Sequence, residues 1–178
     1  MVTTMIDTIP SNPTVVNNVS IRLGDVELRS LKESDILLVQ TWRNKSRVRC
    51  GFFDSSEVTK EKHRAWWDYY VASTTDRSFI IACQGDYVGF ISLYNIDYLN
   101  SKAEIGRMMI GEDVFLGRGI MPKAIDAIVG YARTLGIQSI YLNVKLENFS
   151  AIKCYNKAGF IRSTSDRTSI HMTRSTKE

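Results

Sequence analysis

Two short segments concentrate the residues able to do chemistry in this 178-residue chain. In Phe115-Leu116-Gly117-Arg118-Gly119-Ile120, two glycines stand between a strand-like stretch and a helix-like one. Without Cβ atoms, backbone N–H groups can converge there on an anion, and the positive end of the following helix adds a field that favours phosphate. Pro122 suits the first turn of that helix, where its missing N–H costs little. The second segment runs from Asn148 to Phe160. On a helix, Asn148 and Tyr155 share one face about two turns apart, so an amide and a phenol would both look into a cleft beside residues 140–145. Read alone, the first segment also fits a plain tight turn, and the second an N-cap Asn with a core Tyr.

The elements that must position these groups follow from the patterning. Strands are expected at Val19–Leu23 and Val26–Ser30 around the Gly24-Asp25 turn, then a helix capped by Ser34 that carries Ile36, Leu37, Val39, Gln40 and Trp42. Residues 47–53 read as a loop. A second helix begins after the N-cap Thr59 and runs through Trp66, Trp67, Tyr70 and Val71. A hairpin follows, Phe79–Cys83 and Tyr87–Tyr94 about Gly85-Asp86. Ala103–Ile110 reads as a strand. Ile120, Ala124, Ala127, Ile128, Tyr131 and Leu135 keep helical spacing until Gly136 stops it. Period two returns in Ile140–Lys145. A helix over Phe149–Lys157 is closed by Gly159, and the last strands lie near Phe160–Ser163 and Thr168–Thr173. This order predicts one mixed α/β domain over residues 19–178, after a poorly ordered polar leader at residues 1–18.

Bulk properties exclude several classes. The hydrophobic fraction is 44% and the charged fraction 24%, ordinary for a soluble domain. Cys50, Cys83 and Cys154 are scattered and lack C-x-x-C spacing, and the only histidines are His63 and His171. No metal site is expected from them, and reduced, cytoplasmic surroundings suit them better than a disulfide framework. The leader lacks the basic start and apolar run of a signal peptide, and no apolar stretch is long enough to span a membrane. The net charge of +4 suits an anionic ligand, without the basic stripe that nucleic-acid binding requires.

Taken together, the two segments resemble the acyl-CoA-binding elements of the GNAT superfamily of N-acetyltransferases, in its order and spacing. The first is similar to the pyrophosphate loop Q/R-x-x-G-x-G/A, with Val114 at the Q/R position. The second is similar to N-x-x-A-x-x-x-Y-x-x-x-G-F, matched at Asn148, Ala151, Tyr155, Gly159 and Phe160. Between them, Ala103-Glu104-Ile105-Gly106 resembles a strand of the branch that includes ribosomal-protein N-terminal acetyltransferases. The resemblance covers roughly residues 19–173. It implies a single-domain GNAT fold, a mixed and mostly antiparallel sheet with helices on both faces, and acetyl-CoA as co-substrate. The loop Leu116–Met121, including Gly117, Gly119 and Ile120, would then hold the pyrophosphate, with Arg118 or Lys123 adding charge. Backbone N–H groups of Met109 or Ile110 would polarise the thioester carbonyl, and Asn148 would face the cofactor. Tyr155 becomes the general acid, because a phenol of pKa ~10 is protonated near neutrality and can donate to the departing thiolate. Glu104 is the candidate base, acting through water or else pairing with the substrate ammonium; His63 is its rival.

A further resemblance bears on the acceptor. Trp42-Arg43-Asn44, Val48-Arg49, Phe53 and Glu61-x-His63-x-x-Trp66 look like the N-terminal half of bacterial nucleotide-sugar N-acetyltransferases of the pseudaminic-acid pathway type. This implies a nucleotide-linked amino sugar as acceptor, with Trp42, Arg43, Arg49 and His63 at its site. Ribosomal or other protein N-termini, and a non-catalytic CoA-binding module, are the alternatives. A homodimer is a further expectation.

Overall fold

The structure is a computed structural model that describes residues 3–5 and 18–177. Among them runs one nine-stranded sheet in the order β1-β2-β3-β4-β5-β6-β7-β9-β8. Its strands are β1 (Thr3–Met5), β2 (Ser20–Leu23), β3 (Val26–Ser30), β4 (Arg77–Cys83), β5 (Asp86–Asp97), β6 (Lys102–Ile110), β7 (Ser139–Lys145), β8 (Ile161–Ser165) and β9 (Ser169–Ser175). The β6–β7 pairing is parallel and the others are antiparallel. Of the expected leader, Thr3–Met5 pairs with Ser20–Arg22; residues 1–2 and 6–17 lie outside the described residues.

Helices cover both faces, as the resemblance implied. On one face, α4 (Ile120–Thr134) buries Ala124, Ala127, Ile128 and Tyr131 against Ile21, Leu28, Phe79, Ile91 and Ile105. The half-buried side of α5 (Phe149–Lys157) packs on the same core through Ala151, Ile152 and Tyr155. On the other face, α1 (Ile36–Asn44), the one-turn α2 (Ser46–Arg49) and α3 (Lys60–Ala72) enclose a smaller core of Leu31, Val39, Trp42, Val48, Trp67, Tyr70, Ile80, Phe90 and Met109. Both α4 and α5 end on a glycine in the left-handed region, Gly136 (φ +78°) and Gly159 (φ +76°). In each, the next N–H reaches back five residues, Ile137 to Ala132 and Phe160 to Tyr155. That closure satisfies terminal carbonyls and needs a residue without a Cβ penalty.

Two local expectations require correction. Ser34 does not cap α1: it lies inside a 3₁₀ turn, Glu33–Asp35. Asp35 closes that turn by accepting from the Lys32 N–H at 2.8 Å while paired with both terminal nitrogens of Arg29. Residues 47–53 are not wholly loop, because α2 forms at their start. Arg47 of this turn and Lys45 just before it reach the end of β6, where both donate to the Gly111 carbonyl. The tail strands are also displaced, since Phe160 enters the core as the residue that closes α5.

Candidate active site

The cleft arises where the two parallel strands part. β6 and β7 are in register at Lys102↔Ser139, Ala103↔Ile140 and Glu104↔Tyr141, and the register ends there. Beyond it β6 carries a bulge: Phe90 opposes Met109 and Ser92 opposes Gly106, so Arg107 and Met108 together face Ile91. Arg107 takes φ +52° to make this turn. A bulge bends its strand and raises the local twist, while β7 continues straight along β9 as far as Lys145↔Ser169. One edge of residues 105–110 therefore pairs with β5, and the other faces a gap whose far wall is residues 142–145. Backbone groups alternate along a strand: the Met109 carbonyl lies against Gly89 and the Gly111 N–H donates to Val88, both on β5, so the Ile110 backbone is the one turned to the gap.

At the mouth of the gap, the 3₁₀ turn Asp113–Phe115 leads into the glycine loop. Gly117 and Gly119 both adopt φ +73°, and a Cβ on either would meet nothing within 4 Å. The turn therefore needs glycine for its backbone geometry, and its surface is left open. No side chain caps α4, and its first turn carries no acid. Its leading N–H groups and its dipole are thus presented to an incoming anion. Val114 and Leu116 are exposed beside it. Arg118 rests over the Phe115 ring at 5.0 Å, whereas Lys123 is paired with Asp25 at 2.6 Å. Of the two candidate cations, Arg118 is the one on the loop without an ion pair among the described residues.

Asn148 is the N-cap of α5: its side-chain oxygen accepts from the Ala151 N–H at 3.2 Å. Its amide nitrogen faces Gly51, where a Cβ would come within 3.2 Å. Two turns on, Tyr155 packs edge-on against Phe160 at 6.1 Å between ring centres. Burial pushes the Tyr155 phenol well above its usual range, so it holds its proton at any working pH.

Glu104 lies on the opposite face. Its neighbours Ala103 and Ile105 point into the core beneath α4, so alternation turns Glu104 to the α1–α3 side at the last rung before the gap. Its carboxylate accepts from the Tyr94 hydroxyl at 2.8 Å and from Asn95 Nδ2 at 2.9 Å. The Arg107 guanidinium stacks 4.3 Å above the Tyr94 ring and pairs with buried Asp76 at 2.6 Å. Neither Tyr94 nor the Arg107–Asp76 pair stands out in the sequence, because only the strand register brings them to Glu104.

The four expected acceptor residues do not assemble into one open site. Trp42 is 1% exposed and donates its indole N–H to Glu112 at 2.6 Å. Its ring lies so close over Gly111 that a Cβ there would overlap it. It is a core residue that clamps the end of β6, with no face left for a ligand. His63 is buried at the α1–α3 contact, stacked on Trp66 at 5.1 Å, and burial pushes its pKa down. Arg43 is held by the Asp54 carbonyl and by the Phe52 ring at 4.1 Å, and Arg49 pairs with Glu57 at 3.4 Å. A different open site lies at the carboxyl end of β7. There a groove of about 600 Å³ is lined by Phe53, Lys145, Leu146, Glu147, Phe149, Arg167 and Thr168. Phe53 and Phe149 are 57% and 77% exposed, unusual for rings of that size.

Comparison with known proteins agrees with this geometry. The chain is 27% identical to a spermidine N(1)-acetyltransferase of Escherichia coli (strain K12) over 136 residues, which is 76% of this chain and 72% of that protein. Its fold superposes on the crystal structure of a Vibrio cholerae spermidine N-acetyltransferase in complex with CoA and spermine, with a TM-score of 0.77 at 20% identity, covering 86% of this chain and 97% of that one. It superposes with a TM-score of 0.73, again at 20% identity, on a ribosomal L7/L12 alpha-N-protein acetyltransferase in complex with CoA, covering 86% and 95%. The family described as acetyltransferase (GNAT) domain matches residues 25–161. With the parted strands, the open glycine loop and that match over most of its length, the chain belongs to the GNAT acetyltransferase family.

Proposed function

We propose that the chain transfers an acetyl group from acetyl-CoA to a primary amine through the gap between β6 and β7. The observation that carries this reading is the placement of Glu104 and Tyr155 on opposite faces of the sheet where the strands part. The pyrophosphate would sit on the 116–121 loop and the N-terminus of α4, with the thioester alongside Met109 and Ile110. The Ile110 backbone N–H, the one of the two that faces the gap, would bond the carbonyl as it gains negative charge. The amine, from the Glu104 side, forms the C–N bond; the C–S bond breaks, and Tyr155 gives its proton to the thiolate. The ammonium proton leaves through water to Glu104. A phenol that stays protonated suits the first role, and a carboxylate at the acceptor side suits the second.

For the acceptor, we propose a nucleotide-linked amino sugar, with its handle in the groove at the end of β7. The support is charge and shape: exposed Phe53 and Phe149 offer ring faces to a base, while Lys145 and Arg167 can bond a diphosphate. This moves the handle away from Trp42, Arg43, Arg49 and His63. A polyamine is the second reading, favoured by the 27% identity to a spermidine acetyltransferase; Glu104 and Glu147 would then be its anionic partners. The test presents UDP-linked amino sugars, free amino sugars, spermidine and short peptides side by side with acetyl-CoA, and follows CoA release. The nucleotide sugar is expected to turn over fastest, with Arg167→Ala raising its KM about 10-fold. Turnover of spermidine alone selects the polyamine, and turnover of peptides alone selects a protein N-terminus.

A further inference from the structure

We infer that Tyr94 is a positioning residue that aims the Glu104 carboxylate into the gap. This rests on the reading of Glu104 as the acceptor-side carboxylate. Each Glu104 oxygen already accepts one side-chain donor, Tyr94 on Oε1 and Asn95 on Oε2. Two donors, one on each oxygen, fix the plane of the carboxylate. The remaining lone pairs are then left for a water or for the acceptor's ammonium.

Tyr94 is itself held from both sides. Arg107, turned by the bulge, lies over its ring, and Asp76 holds Arg107 with help from Ser78 Oγ at 3.3 Å. A cation on the ring face draws electron density from the phenol and makes its O–H a stronger donor. Burial, then the adjacent Glu104 charge, pushes the Tyr94 phenol far up, so it keeps the proton it donates. From β7, Tyr141 sits beside Glu104 in the parallel register, stacked on His171 at 5.5 Å. Asp97 acts on the same Tyr141 hydroxyl; with the Arg107–Asp76 pair, these are the titratable and charged groups around the carboxylate among the described residues.

Gly106 makes room for this arrangement. A Cβ there would come within 2.8 Å of the Tyr94 hydroxyl. The glycine two residues after Glu104 thus leaves room for the phenol to lie across the strand. It gives a physical reason for the Glu104-Ile105-Gly106 spacing that the sequence displays.

The experiment uses the full chain, with the acceptor that turns over among the four classes above, and reads kcat, both KM values and stability. Tyr94→Phe removes one donor and keeps the ring, and Gly106→Ala pushes the hydroxyl aside from the other strand. Both are expected to lower kcat about 10-fold, the scale of one lost hydrogen bond to a charged group, while KM for acetyl-CoA stays unchanged. On a Glu104→Ala background, which leaves no carboxylate to aim, Tyr94→Phe should cost nothing further. Wild-type kcat in both single variants, or the same 10-fold loss on the Glu104→Ala background, overturns the inference. Wild-type turnover by Glu104→Ala itself overturns instead the role of Glu104 in the reaction.

Discussion

The two faces of the sheet are built differently. Beneath α4 and α5, what would meet the donor is largely backbone: a glycine loop with nothing packed on it, an uncapped helix start and the free edge of β6. Beneath α1–α3, the equivalent region is a mesh of side chains. Trp42, Lys45 and Arg47 fasten onto Gly111, Glu112 and Asp113, while Arg107, Tyr94 and Asn95 fasten onto Glu104. Backbone recognition needs glycines at fixed spacing, and that leaves a trace in the sequence. Side-chain meshes depend on pairings across strands and helices, which spacing along one chain does not record.

Substitutions can sharpen this contrast. The largest expected effect belongs to the mesh: Trp42→Ala should destabilise the fold by about 3–5 kcal/mol, since it empties a fully buried site and strands Glu112 without its donor. Denaturant unfolding measures this, and a loss below ~1 kcal/mol would mean the indole is not the clamp described. On the donor side, Tyr155→Phe should leave stability nearly unchanged and lower kcat about 100-fold in single-turnover assays. A near-wild-type chemical step would remove Tyr155 as the acid. Because its phenol stays protonated, no loss of rate should accompany its ionisation below pH ~10.

Gly119→Val comes next. Its strained left-handed backbone costs ~1–2 kcal/mol and its branches cover the loop, so acetyl-CoA affinity should fall about 10-fold by calorimetry. An unchanged affinity in a folded protein would break the backbone-recognition half of the comparison. The smallest effect concerns His63. Burial depresses its pKa, so the folded state favours the neutral ring. The stability it contributes is present above its ordinary value of ~6.5 and is lost as pH falls toward the depressed one. Replacing His63 with Phe should flatten that part of the stability–pH curve, and an identical slope would show that other groups carry it.

Legibility followed the same divide. The helix over Phe149–Lys157 and the start of α4 at Ile120 were readable to the residue, because capping chemistry and glycine stops are local signals. The mixed sheet and the helices on both faces were implied by the resemblance that those segments carry. The core role of Trp42 is not legible, because an aromatic on a helix looks the same in sequence whether it meets a ligand or the end of a neighbouring strand. α2 was hidden because a single turn has no periodicity of its own; Lys45 and Arg47 hold it through residues more than sixty positions away. The groove at Phe53, Phe149, Lys145 and Arg167 joins three distant loops, and no motif spans them.

The three-rung join between β6 and β7 has a mechanical meaning. To its far side belong β7, β9 and β8, a subassembly zipped together internally along seven rungs of β7–β9. A seam so short beside a zipper so long is the natural place for the domain to breathe, with β7 and its partners tilting as one leaf. A ligand threaded between the strands would act as a rivet across that seam. Acetyl-CoA should therefore slow amide hydrogen exchange in residues 139–145 and 169–175 even where it touches none of them, so the donor would stiffen the half of the molecule that the acceptor meets next.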